Sequence, residues 1–425
     1  MPFTRRSFLT AASTWSLGGF LPRMGWSTAG SAAAQQLTPR LVRIAHLSHR
    51  GGQLAEMASY AIMGAQLGAE EANVTAGMFG TSVELILEEV TGAEQVVQTA
   101  RKLSAQPNLV AIIAALDDRS TAVLSDAAQQ HRVVLLNAAA RGADLRGGKC
   151  HRYTFHVEAD LAMYAHAMGQ WLFQNNRKRW YFIAAEDPVG QEVYQKATRV
   201  LQAGGGVELG RSISLRGQRD YKPVLGNLGK VNAEAIFVAL MGEDLVRFLG
   251  QFQESGLPAL VAGAPLDMPA LWNADPASLT GVWATAWYHQ FERFSARELN
   301  RRFRRRFGKP MEGYAWANWA AVKLVVEGVL RGASTDPGAL VKYLEGSPAF
   351  DGHKGKALTF RAWNHQLRQP LYVVKARDST PQNRWDLLEV VAELPSPGAR
   401  GKSASDLLDT LGDSRAESSC HMEPF

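Results

Sequence analysis

Apolar positions along the chain alternate between two periods. Leu41–Leu47 is a short β-rich run, and Leu54, Met57, Ala61, Ile62, Ala65, Ala69 and Ala72 then recur at helical spacing. Val83–Leu87 predicts a second strand, and Val96, Val97, Ala100 and Leu103 a second helix. Leu109–Ala115 is apolar throughout, as expected of a strand covered on both faces. A helix over Thr121–Gln130 and a strand over Val133–Leu136 complete this series. The alternation then restarts: helix Leu161–Phe173, strand Trp180–Ala184, and helix Val193–Leu201, which Gly204-Gly205-Gly206 stops. Strand Ala235–Leu240 and helix Asp244–Glu254 follow, the helix ending at Gly256 and Pro258. Trp316–Leu330 is a strongly apolar helix, and Lys356–Phe360 and Leu371–Lys375 read as closing strands. This order predicts an α/β fold of two doubly wound parallel-sheet units in tandem. From Ala392 the chain turns to Pro, Gly and Ser, which predicts a flexible tail over residues 391–425.

The N-terminus changes the reading of charge. Thr4-Arg5-Arg6-Ser7-Phe8-Leu9, a weakly apolar stretch from Ala11 to Phe20 and then Ala32-Ala33-Ala34 follow the order of a twin-arginine export signal over residues 1–34. Removing it takes Arg5, Arg6 and Arg23 away, so the formal net charge falls from +6 to +3. A near-neutral chain with no basic stripe interleaved with aromatics is not a nucleic-acid binder. The densest basic run, Arg301–Arg306, carries Phe303 with Phe307 four residues on, the pattern of a helix with an apolar seam and a charged face. No stretch of about 20 apolar residues exists to span a membrane.

Catalytic signatures are missing from the sequence: there is no Gly-x-Ser-x-Gly, His-Glu-x-x-His, Cys-x-x-Cys or dinucleotide fingerprint. No cofactor is expected. His46 and His49 flank a loop that continues into Gly51-Gly52, and Cys420-His421-Met422 offers soft donors, but neither group alone encloses a metal. The two cysteines, Cys150 and Cys420, are far apart in sequence, and their pairing is open at this stage.

Several segments in order resemble one family. Gly64–Asn73, Val97–Ala115, Gln251–Leu257, Gly281–Tyr288, Tyr314–Leu330, Asp351–Gly355 and Leu358–Phe360 are similar to segments of the type I periplasmic solute-binding proteins of ABC importers, in the branched-chain amino acid and amide group. Leu136–Ala140, Leu145–Cys150 and Ala162–Trp180 resemble a subgroup that accompanies pyrroloquinoline quinone-dependent alcohol dehydrogenases. The resemblance implies two lobes joined by three crossings, near residues 153–155, 284–288 and 360–362. Lobe one would be residues 40–154 with 289–359, and lobe two 155–288 with 360–390. It implies a periplasmic monomer that closes on a small-molecule ligand and delivers it to an ABC permease in the inner membrane, without being an enzyme. The subgroup implies an alternative: a sensor or delivery protein for a cofactor, metal or metabolite of a quinoprotein alcohol-oxidation pathway.

The same resemblance nominates site residues. The loop at Asp118, Arg119, Ser120 and Thr121 would present a hydroxyl and helix N–H groups to a ligand anion. Asp117-Asp118-Arg119 departs from the small residues usual there, and two carboxylates disfavour an anionic ligand unless Arg119 offsets them. Asn137, Ala138 and Ala139 form the second contact segment, where small residues let backbone approach the ligand. Glu243 and Asp267 are the acids aligned to hold an α-ammonium, while Val189 stands where an aromatic is common. Trp283, Trp287 and Tyr288 lie on a hinge strand, and Trp287 is a candidate for stacking on the ligand.

Overall fold

The computed structural model describes residues 40–423 apart from 52–53, 267, 294, 347, 378–382 and 397–402. The export signal and Asp267 lie outside the described residues. The chain begins β1 (Arg40–His49), α1 (Ala55–Gly77), β2 (Thr81–Val90), α2 (Ala93–Ser104), β3 (Leu109–Ala115), α3 (Asp118–His131), β4 (Val134–Asn137) and β5 (Thr154–His156). It continues through α4 (Leu161–Gln174), β6 (Arg179–Ala185), α5 (Pro188–Ala203), β7 (Val207–Ser214), α6 (Lys222–Leu228), β8 (Ala235–Ala239), α7 (Gly242–Ser255), β9 (Leu260–Gly263), α8 (Met268–Trp272) and β10 (Val282–Thr285). Helices α9 (Ala296–Phe307), α10 (Gly313–Gly332) and α11 (Pro337–Glu345) follow. The short strands β11 (Thr359–Phe360) and β12 (Leu367–Arg368) lead to β13 (Leu371–Ala376), β14 (Leu388–Leu394) and α12 (Ala404–Leu408).

Two main sheets form. The first is five-stranded and wholly parallel, in the order β2-β1-β3-β4-β5. The second has the order β14-β13-β10-β9-β8-β6-β7, with β13 and β14 antiparallel at one edge. The chain leaves the first sheet after β5, builds the second through β10, and returns as α9 and α10, which pack on α1. It crosses again through the β11–β12 hairpin, so Lys356–Phe360 is mostly loop rather than a sheet strand.

Alternation along the strands sends residues to opposite layers. Val42 and Ile44 pack with α1 and α10, while Ala45 and Leu47 pack with α2 and α3. In the second sheet Trp180, Phe182 and Ala184 face α4 and α5, and Tyr181 and Ile183 face α6 and α7. Helices α1 and α10 approach closely because Gly64 lacks a side chain: a Cβ there would sit 2.0 Å from the Ala315 carbonyl oxygen. The basic run lies on α9, with Phe303 buried and Arg302 and Arg306 paired to Glu71 and Glu70 of α1 at 2.6 and 3.0 Å. That face is therefore largely neutralised by the chain's own acids.

The expectation of a flexible tail is overturned among the described residues. Leu388–Leu394 pairs with β13, and Leu408 and Leu411 are buried, Leu411 in the core formed with α4 and α5. Asp409 accepts from Arg361 and Arg368 at 2.9 and 2.8 Å, and Asp413 meets Lys196 at 2.6 Å. Cys420 is disulfide-bonded to Cys150, which settles the open pairing and removes the thiolate from any soft-metal set at the tail. Proline, glycine and serine made the segment look like a linker, but two leucines and two aspartates are enough to pin it.

Candidate functional site

The C-terminal ends of the parallel strands and the N-termini of the following helices gather the charged loops, the position where sheets of this kind take ligands. At the start of α3, Asp117 is the N-cap and accepts from the Ser120 N–H at 2.6 Å. Its other oxygen lies 3.2 Å from His49 Nε2. That contact, helped by the Ser120 N–H, holds the Asp117 carboxyl at about 2 against the usual 3.8. Asp118 turns away from its own helix and accepts from the backbone N–H groups of Arg141 and Gly142 at 2.9 and 2.8 Å. Gly142 is needed for this, since a Cβ would meet the Asp118 carboxyl at 3.0 Å. The two aspartates therefore occupy donors that an external anion would otherwise use.

The second contact segment is also internally committed. Asn137 is fully buried; its Oδ1 accepts from the Ala139 and Ala140 N–H groups at 3.2 and 2.9 Å, and its Nδ2 donates to the Ala140 carbonyl at 2.8 Å. The Ala138 N–H donates to the Ala114 carbonyl. Asn137 thus shapes the loop and presents no amide to a cleft. Ser120 and Thr121 are buried, and the Thr121 hydroxyl leans on the Leu116 carbonyl at 3.4 Å.

The remaining candidates separate. Arg119 is exposed and lines, with Asp117, Ser120, His49 and the start of α2, a polar cavity of about 540 Å³. Glu243 is 93 % exposed at the start of α7, its nearest cation being Arg247 at 3.7 Å. Trp287 belongs to the core: it is fully enclosed, donates to Asn300 at 2.9 Å and stacks on Trp316 with ring centroids 5.8 Å apart. Trp283 is buried as well. His46 is enclosed beside Asn318, and burial drives its pKa down to about 4, so it is neutral. Among the described residues no cluster of His, Cys, Asp and Glu is arranged to hold a metal.

Sequence reasoning missed the residue at the centre of the arrangement. Arg141 follows directly on the small-residue segment 138–140 and is only 8 % exposed. Its Nε donates to Glu158 Oε1 at 2.8 Å, and the same oxygen accepts from the Tyr164 hydroxyl at 2.9 Å. Its Cζ lies 4.6 Å from the Tyr314 ring centroid and 5.2 Å from that of Tyr164. Tyr314 starts α10, whose N-terminus Glu312 caps; Tyr164 lies on α4 in the layer of the second sheet. Met57, Ala61, Ala115 and Ala139 pack around Tyr314 as a small apolar wall. Two residues further on, the Ala143 N–H donates to Glu192 of α5 at 3.0 Å. Glu192 lines a second cavity of about 170 Å³ with Arg146, Asp160, Lys196, Asp413 and Glu417, and burial raises its carboxyl to about 7. The available signal was an arginine placed directly after three alanines, a position that gives a long side chain room to reach across.

With this geometry in place, comparison with known proteins is informative. A family model described as periplasmic binding protein matches residues 41–381. No curated protein matches the chain. Among solved structures, a branched-chain amino acid ABC transporter periplasmic ligand-binding protein from Burkholderia xenovorans is 19 % identical, with a TM-score of 0.80 over 89 % of this chain and 99 % of that one. A leucine-, isoleucine-, valine-, threonine- and alanine-binding protein from Brucella ovis, in a closed conformation, is 14 % identical with a TM-score of 0.79, covering 91 % of this chain and 100 % of that one. A solute-binding protein of an ABC transporter from R. palustris, in complex with benzoate, is 12 % identical with a TM-score of 0.71, covering 89 % and 99 %. At such identities the structures establish a shared fold of two parallel-sheet lobes, and the family model spans most of the sequence: the chain belongs to the periplasmic binding protein family.

Proposed function

We propose that this chain is the periplasmic substrate-binding component of an ABC transport system. It takes a small polar metabolite between two lobes that close about the three crossings, and hands it to a membrane permease. The work is done by binding, with no chemistry on the ligand, and the receptor acts as a monomer. Export of the folded protein by the twin-arginine route fits the first 34 residues. The observation that carries this reading is segment 138–146, a wall common to both sheets' layers: Arg141 reaches Tyr164 of α4, and Ala143 reaches Glu192 of α5. Separation of the layers would expose this wall, and closure would bury it. The alternative role in alcohol oxidation gains no support from the structural relatives above, which are named as transporter receptors or ligand-binding proteins.

The test is a thermal-shift screen of the chain without its first 34 residues. The panel holds branched-chain and aromatic amino acids, aromatic acids, amides, polyamines, quinone cofactor and metal ions. A ligand at 100 times its Kd adds about 2.7 kcal/mol, enough for a shift of a few degrees. A shift confined to quinone cofactor or a metal would return the argument to the alternative role. A panel without any shift would refute the receptor reading.

A further inference from the structure

The enclosed guanidinium of Arg141 has a feature that its partners leave unexplained. Among the described residues only its Nε and backbone N–H find hydrogen-bond acceptors; both terminal nitrogens, carrying four N–H donors, have none. The side chain is nonetheless about nine-tenths buried, between one tyrosine from each layer. Leaving charged donors unmet in such a place costs on the order of 1–3 kcal/mol or more. Glu158 balances the charge but uses the wrong edge of the guanidinium, since it meets Nε and not the terminal pair.

We infer that Arg141 is the ligand anchor, and that the ligand is a small carboxylate with an apolar or aromatic body. This inference rests on the receptor reading above and names its substrate class. The two terminal nitrogens present a planar pair of donors, the geometry that a carboxylate meets with two parallel N–H···O bonds. The wall of Met57, Ala61, Ala115, Ala139 and Tyr314 lies directly beside it and has no polar group other than the tyrosine hydroxyl, so the body of the ligand is apolar. The sequence had suggested that Asp117 and Asp118 would repel an anion. The structure removes most of that objection, because Asp118 is neutralised by two N–H donors and Asp117 by the start of α3 and His49. Both aspartates keep helix and loop donors occupied, which leaves Arg141 as the cation that faces a ligand anion in this segment.

The experiment is isothermal titration of the mature protein with benzoate, L-leucine, and the matching amides, benzamide and L-leucinamide. The expected result is that at least one acid binds, and that its amide binds at least about tenfold more weakly, as loss of charge-assisted hydrogen bonds requires. Arg141→Lys keeps the charge opposite Glu158 but loses the planar pair, and should weaken the acid about tenfold while leaving the fold intact by circular dichroism. Benzoate binding without L-leucine points to simple acids, and the reverse to amino acids; either supports the anchor. Equal affinity for acid and amide in the wild type overturns it without any variant. So does an Arg141→Lys protein that binds the acid as tightly as wild type, and in both cases the receptor reading stands. If polyamines or other non-acids bind and no acid does, the anchor is again overturned and the receptor is retained.

Discussion

Replacing Glu192 with glutamine should stabilise the protein at neutral pH and leave it unchanged in acid. Glu192 lies on α5 with its Oε1 accepting the Ala143 N–H at 3.0 Å, and burial raises its carboxyl from 4.5 to about 7. Because the folded-state value lies above the unfolded one, the neutral carboxyl favours folding fully below about pH 4.5. That advantage is lost progressively as pH rises to about 7 and is gone above it. Each pH unit across the window is worth about 1.4 kcal/mol, so complete burial would give on the order of 3 kcal/mol. Glu192 is a third exposed and has Lys196 nearby, so solvent and the lysine reduce this to roughly 1–2 kcal/mol. Glutamine keeps the acceptor for Ala143 and removes the charge. Urea denaturation at pH 4.5, 6 and 8 measures the effect: wild type and variant should agree at 4.5, and the variant should lead by that amount at 8. Equal stability at pH 8, or a variant that is weaker there, would show that the Glu192 environment is wet and the reasoning wrong.

Other perturbations bear on the same architecture. Asp117→Ala removes the α3 cap and should cost about 1 kcal/mol at pH 7 by denaturant midpoint. The depressed carboxyl contributes stability above about pH 4, lost as pH falls towards 2, so this difference should shrink in acid. Cys150→Ser with Cys420→Ser opens a loop of sequence separation 270 and should lower stability by about 3–5 kcal/mol, a loss that dithiothreitol reproduces in the wild type. Trp287→Ala should cost about 3–5 kcal/mol in unfolding experiments, because the ring fills core against Trp316. Glu243→Ala should leave the Kd of whichever ligand binds within about twofold, its carboxylate being in solvent.

Much of the architecture was legible because it is written locally. Leu109–Ala115 appears as β3 with the bounds its apolar run marks, and Trp316–Leu330 falls within α10. Period-two alternation in Trp180–Ala184 correctly implied a strand with two covered faces. Segments that depend on distant partners were not legible. Strand β14 is a sequence of moderate polarity that becomes a strand through its pairing with β13, and α12 is held by Arg361 and Arg368 from the hairpin region. The site shows the same limit. Loop positions were found, but whether Asn137 points out or folds back depends on Ala139 and Ala140 N–H groups that only coordinates reveal. The role of Arg141 depends on Glu158 and Tyr164, which lie 17 and 23 residues further along the chain.

The bond between Cys150 and Cys420 also fixes the topology of the covalent chain. Everything from β5 to α12 lies inside one closed ring, with β1 to β4 as an open arm and only the last few residues beyond. A ribosome delivers Cys420 among the final residues, so this ring closes only after synthesis is essentially complete. A single protease cut anywhere inside it leaves the two pieces joined until a reductant is added. Limited proteolysis of this protein therefore has to be read on reducing gels, where a nicked ring comes apart and an intact one does not.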